Sequence, residues 1–219
     1  MEYANEAYKA ENVEENVYTI LYKKQLIKML DKFIPYAQTL QNSLTERKFY
    51  LDEALKPCEE EEHFIKGFID RIDINDEITI VDYKSSKKEG IDTKRVEEII
   101  ELKDIQLGLY TLWAKQQYGK RVHASLVTFN TGNADADYVE FASLKECDEP
   151  TYSRNKPQYG CYNEEYEQAL KERIFEVKSK IEQGDFNVNE DADCTWCGFK
   201  KICEIQIFSE EEKTVSYNE

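Results

Sequence analysis

The sequence predicts an α/β domain with a central mixed β-sheet flanked by helices. Two apolar, β-branched runs, EHFIKGFIDRID and EITIVDYKSS, surround a polar turn at residues 74–76, which is typical of an antiparallel hairpin. An amphipathic helix is expected over residues 93–118, ending at Gly119, and a strand over residues 121–130 follows it. With 219 residues the chain is long enough for one sizeable core.

The composition divides the chain into three parts. Residues 1–44 are expected to form a helical segment interrupted near Pro35, because apolar residues recur there at helical spacing. Residues 45–208 are expected to hold the core and a cluster of cysteines, and the hydrophilic residues 209–219 a disordered tail. No run of 18 or more apolar residues occurs and no apolar block follows the N-terminus, so we expect a soluble, cytoplasmic protein.

The segment after the last of these strands is polar. Residues 131–162 contain two of the four prolines and predict a long excursion with one strand near residues 138–141. Residues 164–183 predict a charged helix that stops at Gly184. Long excursions of this kind are either functional or mobile.

The formal net charge of -16 bears on the partners that the protein can bind. Phosphate neutralisation by Lys and Arg supplies most non-specific affinity for nucleic acid, so this charge argues against a broad DNA-coating surface. A narrow basic channel remains compatible with it, because acidic blocks such as residues 59–62 and 210–212 need not face a substrate.

The chemistry-bearing residues of the hairpin are Asp70, Asp82 and Lys84. Side chains at i and i+2 of a strand point the same way, so Asp82 and Lys84 share one face and Tyr83 turns to the other. Asp70 on the partner strand can lie beside them. Two carboxylates, with a backbone carbonyl such as that of Tyr83, suit Mg²⁺, and an adjacent ammonium can orient a water nucleophile.

An ordinary salt bridge between strands is the alternative interpretation of these charges. Charged side chains where strands enter a core seldom remain there unless they are paired or bind metal. The residues flanking the three charges are apolar and favour the metal site: Ile69, Ile72, Ile80 and Val81.

The motifs GFIDRID, IVDYKSS and QLGLY resemble those of the PD-(D/E)XK nuclease superfamily, specifically its RecB-like branch. The resemblance runs from about Thr45 to Cys203 and implies a restriction-endonuclease-like core. On the matching positions, Asp70 and Asp82 resemble the metal-binding acids of the family and Lys84 its catalytic lysine.

Further residues resemble supporting positions of the same family. Gln106 and Tyr110, one helical turn apart, resemble the QxxxY motif that packs beside the active centre and touches substrate. Glu46 resembles a glutamate of the strand that precedes the first motif. The RecB-like pattern also includes an upstream histidine ligand, whereas the two histidines of this chain, His63 and His123, are expected to be structural.

Three cysteines, Cys194, Cys197 and Cys203, follow the spacing C-x2-C-x5-C. Three thiolates so close can bind zinc or an iron-sulfur cluster, and spacing alone slightly favours zinc. The resemblance implies instead a [4Fe-4S] cluster, because AddB-like and CRISPR-associated nucleases hold one with such a triplet and one cysteine from far upstream.

The fourth cluster ligand has no obvious candidate, because the first 57 residues contain no cysteine. Cys58, Cys147 and Cys161 are the remaining thiols, and three free thiols in the triplet are the alternative to a cluster. The missing upstream histidine and cysteine suggest either the C-terminal nuclease portion of a longer protein, with a helicase-like region before it, or a branch that has lost both ligands.

The expected function is a Mg²⁺- or Mn²⁺-dependent DNA nuclease, an exonuclease acting on single-stranded ends in DNA repair, recombination or processing. Lys87, Lys88, Lys94 and Arg95, just after the motif, are expected to form a local basic lip. The alternatives are a catalytically inactive nuclease-like module that binds DNA or a partner, and a zinc-ribbon interaction protein.

Overall fold

The computed structural model describes residues 14–132 and 136–185, with residues 6, 9, 11, 195, 197 and 198 as isolated positions. The chain divides into two compact units, residues 1–173 and residues 174–219. The first unit contains the sheet and every residue of the hairpin motifs. The description below concerns that unit, apart from the bounds of the last helix.

The described elements are as follows. The strands are β1 (Ser43–Leu51), β2 (Ile65–Ile74), β3 (Ile78–Tyr83), β4 (Val122–Thr128), β5 (Val139–Glu146), β6 (Tyr152–Ser153), β7 (Lys156–Pro157) and β8 (Gly160–Tyr162). The helices are α1 (Val17–Ala37), α2 (Thr93–Ile100), α3 (Gln106–Tyr118) and α4 (Glu164–Glu182), with one 3₁₀ turn at Glu60–Glu62. None of the described helices is long and apolar enough to cross a membrane.

The sheet has six strands in the order β1-β2-β3-β4-β5-β8. The pairs β3–β4 and β5–β8 are parallel and the other neighbours are antiparallel, so the sheet is mixed. Helix α3 buries Leu107, Leu112 and Trp113 against one face. Helix α1 covers the other face, where its Phe33 and neighbouring apolar residues pack on Val81, Val127 and Phe129 of the core. The predicted α/β fold with a mixed sheet is confirmed.

The predicted hairpin is the centre of this sheet. Strands β2 and β3 pair antiparallel from Ile74↔Ile78 to Arg71↔Val81, around a turn at residues 75–77. Beyond that last pair the two strands separate, and Asp70 and Asp82 are the next residues along them. Gly67 of GFID pairs with Phe49, whose ring occupies the space of a side chain at this glycine.

The prediction of a single helix over residues 93–118 is wrong, because the helix is interrupted between α2 and α3. Leu102 takes a left-handed conformation with φ 56°, which ends α2, and Asp104 Oδ1 accepts a hydrogen bond from the backbone N–H of Gln106 (2.9 Å). This hydrogen bond satisfies one of the free donors at the start of α3. The break lets α3 begin at Gln106, and the predicted end at Gly119 is confirmed by its φ of 61°.

The polar excursion predicted over residues 131–162 is also partly wrong. Its strand extends from Val139 to Glu146 and lies inside the sheet, and β8 adds a parallel edge to it. Small or polar buried residues such as Ala142 and Ser143 hide this strand in the sequence. Elsewhere the helical predictions hold more closely: α1 continues two residues past Pro35, and α4 ends at Glu182, just before Gly184 with φ 68°.

Candidate active site

Asp82 lies near the carboxyl end of β3 and is only 3% exposed. Its Oδ1 accepts a hydrogen bond from Gln106 Nε2 at 2.8 Å. Lys84 Nζ lies 2.6 Å from its Oδ2 and forms an ion pair with it. Asp82 and Lys84 therefore share the face of β3 that looks toward α3, as the strand spacing predicts.

Asp70 occupies the point where β2 and β3 separate. Its Oδ2 accepts a hydrogen bond from the backbone N–H of Tyr83 at 2.7 Å. Because β2 and β3 have separated at this point, the Tyr83 N–H does not pair with a backbone carbonyl of β2, and the Asp70 carboxylate accepts its hydrogen bond instead. This bond fixes Asp70 next to the peptide that joins Asp82 to Tyr83.

Gln106 and Tyr110 tie the first turns of α3 to this centre. Gln106 Nε2 donates to Asp82 and also to the Tyr110 hydroxyl (2.8 Å), and Gln106 Oε1 accepts from Lys84 Nζ (3.2 Å). The Tyr110 hydroxyl donates to the backbone carbonyl of Phe68 on β2 (2.8 Å). The amide of Gln106 therefore contacts both charged groups of β3, and Tyr110 holds that amide against β2.

The electrostatics of the centre are dominated by burial. Burial raises the pKa of Asp82 above its usual range, although Lys84 favours the carboxylate and lowers it. The negative charge of Asp70 raises the pKa of Asp82 further, so the two carboxylates sense each other. Burial also raises the pKa of Tyr110 to about 12, so its hydroxyl stays protonated at neutral pH.

The donor set fits a hard divalent cation. Asp82 Oδ2 is buried, and Lys84 Nζ at 2.6 Å is the partner that the described residues give it. The described residues contain no cluster of three or more His, Cys, Asp or Glu that could hold a metal ion. Two carboxylates without a third acid suit Mg²⁺, which keeps several waters and binds through one or two carboxylates plus substrate phosphate.

Comparison with known protein families agrees with this geometry. A model of the PD-(D/E)XK nuclease superfamily matches residues 2–204. The chain belongs to the PD-(D/E)XK nuclease superfamily. A search among curated proteins finds no match to the chain.

The PD-(D/E)XK chemistry is hydrolysis of phosphodiester bonds, and the mixed sheet of this chain is consistent with the restriction-endonuclease-like fold of the family. The motif positions of the hairpin and of α3 lie in one place. Four of the predicted residues, Asp82, Lys84, Gln106 and Tyr110, form one hydrogen-bonded and ion-paired group, and Asp70 lies next to it.

Glu46 is the predicted residue that the structure leaves apart from the PD-(D/E)XK centre. It is exposed, with φ 49°, and interrupts the β1–β2 ladder between the pairs Thr45↔Arg71 and Arg47↔Ile69. Within the described residues, no hydrogen bond or ion pair links it to Asp70 or Asp82. In the register of β1 and β2, Glu46 lies opposite Asp70, at the point where β2 separates from β3.

The sequence did not indicate a second buried polar group on the α1 side of the sheet. Arg71 donates to the hydroxyls of Tyr83 (2.5 Å) and Tyr36 (2.7 Å) and lies 3.2 Å from Asp73. Its guanidinium also lies over the ring of Tyr36, 5.1 Å from the centroid. Burial raises the pKa of Tyr83 to about 12. Alternation along β2, which places Arg71 and Asp73 on one face, was the available signal.

Both histidines have the structural surroundings expected of them. His63 Nδ1 lies against the backbone carbonyl of Glu60, at the 3₁₀ turn. His123 Nε2 lies 3.3 Å from Glu140 on the neighbouring strand. These contacts are local and do not involve Asp70 or Asp82.

The cysteines outside the C-terminal triplet are poor ligands for a cluster. Cys147 and Cys161 form a disulfide, with an S–S distance of 2.17 Å. Burial, followed by the charges of neighbouring acidic residues, raises the pKa of the half-buried Cys58 thiol, which disfavours the thiolate that binds metal. Cys197 is exposed, while Cys194 and Cys203 lie outside the described residues, as do residues 209–219.

Three of the four basic residues predicted to form the lip, Lys88, Lys94 and Arg95, line a cavity of 380 Å³ beside Lys84. Acidic side chains pair with two of them at close range: Lys88 with Asp92, and Arg95 with Glu98 (2.9 Å) and Asp104 (2.7 Å). The other two residues of the predicted lip are exposed. Lys87 is exposed, and the Lys94 side chain is 80% exposed, with its Nζ 3.8 Å from Glu98.

Proposed function

We propose that this PD-(D/E)XK protein is a Mg²⁺- or Mn²⁺-dependent DNA nuclease of the RecB-like branch. Its substrate is DNA with single-stranded ends, which it shortens as an exonuclease in repair, recombination or processing. The observation that carries the proposal is the buried carboxylate of Asp82, paired with Lys84 through Oδ2, with Asp70 beside it.

Asp70, Asp82 and the backbone carbonyl of Tyr83 are the groups that would hold the cation. When bound, the cation supplies a Lewis acid for the phosphate and makes a coordinated water more acidic. The hydrogen bond from the Tyr83 N–H fixes the orientation of Asp70, and the amide of Gln106 fixes that of Asp82. Both carboxylates are therefore oriented before a cation arrives, which limits the reorganisation that binding requires.

Lys84 is the more accessible member of its ion pair, because its side chain is 33% exposed while that of Asp82 is 5% exposed. With a cation held by Asp82, the ammonium would be available to the reacting phosphate, where it would orient the attacking water and offset the negative charge that builds in the transition state. Gln106 lies within hydrogen-bond distance of both Lys84 and Asp82.

A metal centre in the second unit belongs to the same proposal. Cys194, Cys197 and Cys203 bind a [4Fe-4S] cluster, and Zn²⁺ is the alternative occupant. A brown colour with absorbance near ~400 nm and bound iron supports the cluster; a colourless protein with stoichiometric zinc supports the alternative. A helicase or other recombination partner supplies the strand to the nuclease.

The test of the nuclease is degradation of end-labelled single-stranded DNA by the intact chain and by Asp82→Ala, with Mn²⁺ and with EDTA. Asp76→Ala is the matched control, because Asp76 is an exposed aspartate in the turn of the same hairpin. We expect the intact chain and the control to release short products with Mn²⁺, and Asp82→Ala to lose at least about 1,000-fold in rate. Calorimetric titration with Mn²⁺ is expected to show weaker binding by Asp82→Ala alone.

The outcomes separate the candidate functions. Degradation that survives Asp82→Ala contradicts the site assignment. An intact chain that binds DNA without degrading it is the inactive nuclease-like module. Products of one nucleotide that accumulate from one labelled end support an exonuclease, whereas fragments from a circular single strand indicate an endonuclease.

A further inference from the structure

An apolar cavity of 300 Å³ lies on the α1 side of β3, next to the candidate active site. Helix α1 and the carboxyl ends of β3 and β4 form its walls. The apolar side chains that line it are Leu26, Met29, Leu30, Phe33, Tyr83 and Phe129. Three of these six are aromatic, and the cavity is open to solvent along α1.

The rings of this cavity are held in place by one another and by Arg71. Phe33 makes edge-to-face contacts with Tyr83 (5.6 Å between centroids) and Phe129 (5.2 Å). The Tyr83 hydroxyl accepts a hydrogen bond from Arg71 at 2.5 Å, so this polar end is engaged and the ring is what Tyr83 contributes to the cavity. The pocket is thus lined by aliphatic groups and by rings that contact one another.

Lys84 and Ser85 form the polar edge of this cavity, and both also line the cavity of 380 Å³ described above. That second cavity is lined by more basic than acidic side chains: Lys84, Lys88, Lys94 and Arg95 against Asp92 and Glu98. An aromatic space and a charged space therefore meet at the end of β3, and Lys84 borders both. A ligand that occupies both spaces must combine a planar apolar group with an adjacent anion.

We propose that the apolar cavity binds one nucleobase of the DNA strand while the phosphate attached to that nucleotide lies against Lys84. This inference rests on the proposed nuclease function and names a substrate subsite for it. A nucleotide is the occupant that matches both neighbouring spaces, because an aliphatic chain or an apolar peptide side chain makes no use of the adjoining cations. The pocket presents few hydrogen-bonding groups, so it accepts all four bases with a weak preference.

The test removes single bases from the substrate. A series of single-stranded oligonucleotides with one abasic position, moved stepwise past the labelled end, is degraded by the intact chain with Mn²⁺. We expect one position to lower kcat/KM by about 5- to 100-fold, as for the loss of one stacked base, and its neighbours to have little effect.

Two leucines of α1 provide a matched pair of variants. Leu26 lines the pocket and is 36% exposed, whereas Leu21 lies on the same helix, does not line the pocket and is 58% exposed. Leu26→Gln is expected to remove most of the abasic penalty by weakening the binding of the intact base, while Leu21→Gln keeps it. Thermal unfolding of both variants, followed by circular dichroism, shows that α1 has remained folded.

The proposal is overturned if no position in the series is sensitive, whatever the variants do, or if the sensitive position is equally sensitive in Leu26→Gln. Failure of the nuclease proposal is a separate result, since it is seen as no degradation of any oligonucleotide. In that case the same series is bound to Asp82→Ala and measured by fluorescence polarisation. A position-specific loss of affinity that Leu26→Gln removes still supports the base pocket, and its absence overturns it.

Discussion

The sheet buries an ion pair on each of its faces near β3, and the two pairs have different surroundings. On the α1 face the Arg71 and Asp73 side chains are 3% and 12% exposed. Two tyrosine hydroxyls accept from Arg71, and the Ser43 hydroxyl donates to Asp73 at 2.6 Å. On the α3 face the Asp82 carboxylate is equally buried, but its lysine partner is one third exposed. In both pairs one buried atom, Arg71 Nε or Asp82 Oδ2, has its ion-pair partner and no further hydrogen bond from the described residues, so the pairs differ in the exposure of the partner.

Both charges of the Arg71–Asp73 pair are therefore enclosed by the protein, whereas one partner of the Asp82–Lys84 pair reaches solvent. Arg71 is enclosed by Asp73, two hydroxyls and aromatic rings, so its charge connects α1 to the hairpin. Asp82 is paired with a lysine that reaches solvent, and burial disfavours the charged form of its carboxyl. Sites of function are where such locally unfavourable arrangements are expected.

The largest expected effect is on the closed pair. Arg71→Met leaves Asp73 buried without its cation and removes the partner of two tyrosine hydroxyls, so we expect a loss of about 3–5 kcal/mol in the free energy of unfolding. The measurement is urea unfolding followed by tyrosine and tryptophan fluorescence. An unfolding midpoint equal to that of the wild type contradicts the view that this pair is structural.

Lys84→Met is the matched control on the open face. Because Lys84 is partly solvated and the buried Asp82 carboxyl can take up a proton when its cation is removed, we expect a smaller loss in the free energy of unfolding than for Arg71→Met. Hydrolysis is expected to fall by about 100- to 1,000-fold, as when a group that stabilises transition-state charge is removed. If both variants lose mainly stability, the two pairs have the same role and the comparison fails.

A smaller effect is expected in the pH dependence of stability, and it comes from Asp82. Burial raises its pKa in the folded state, so the contribution of this carboxyl to stability is complete below the ordinary aspartate pKa and is lost as pH rises through the raised value. Asp82→Asn avoids this loss. The stability of Asp82→Asn relative to wild type should therefore increase as the pH rises above the ordinary aspartate pKa of about 4.

The measurement is the free energy of unfolding of both proteins in EDTA, so that no cation contributes. A relative stability of Asp82→Asn that decreases over the same range indicates that the ion pair with Lys84 outweighs burial. The result also bears on catalysis, because cation binding needs the carboxylate. Activity of the wild type is therefore expected to rise with pH through the raised pKa of Asp82.

The parts of this comparison that the sequence predicts are the local ones. Within IVDYKSS, successive side chains of one strand alternate between its two faces, so Asp82 and Lys84 lie on one face and Tyr83 on the other. The spacing of four between Gln106 and Tyr110 likewise places them together on a helix. Resemblance to a known family added the expectation that these two local patterns meet.

The remaining features depend on contacts distant in the chain or on backbone conformation. GFIDRID has charges on both faces of β2, and the sequence does not say that Arg71 meets Tyr36, since 35 residues separate them. The apolar periodicity of residues 93–118 continues through the interruption between the two helices. It therefore does not indicate the left-handed Leu102, which ends α2 and lets the next helix begin at Gln106. The sequence likewise gave no sign that Glu46 is left outside the centre.

The smallest expected effect comes from removing one hydroxyl on each face. Tyr36→Phe removes a hydrogen bond from Arg71, so we expect a loss of about 1.5 kcal/mol in the free energy of unfolding and no change in kcat. Tyr110→Phe removes the acceptor of Gln106 Nε2 and the donor to Phe68, and it is expected to lower stability by about 1 kcal/mol. Because the amide that orients Asp82 loses its support, kcat should also fall by roughly 10-fold. Equal effects of the two substitutions on kcat, measured at saturating Mn²⁺, would show that the hydroxyl network of α3 supports the fold alone.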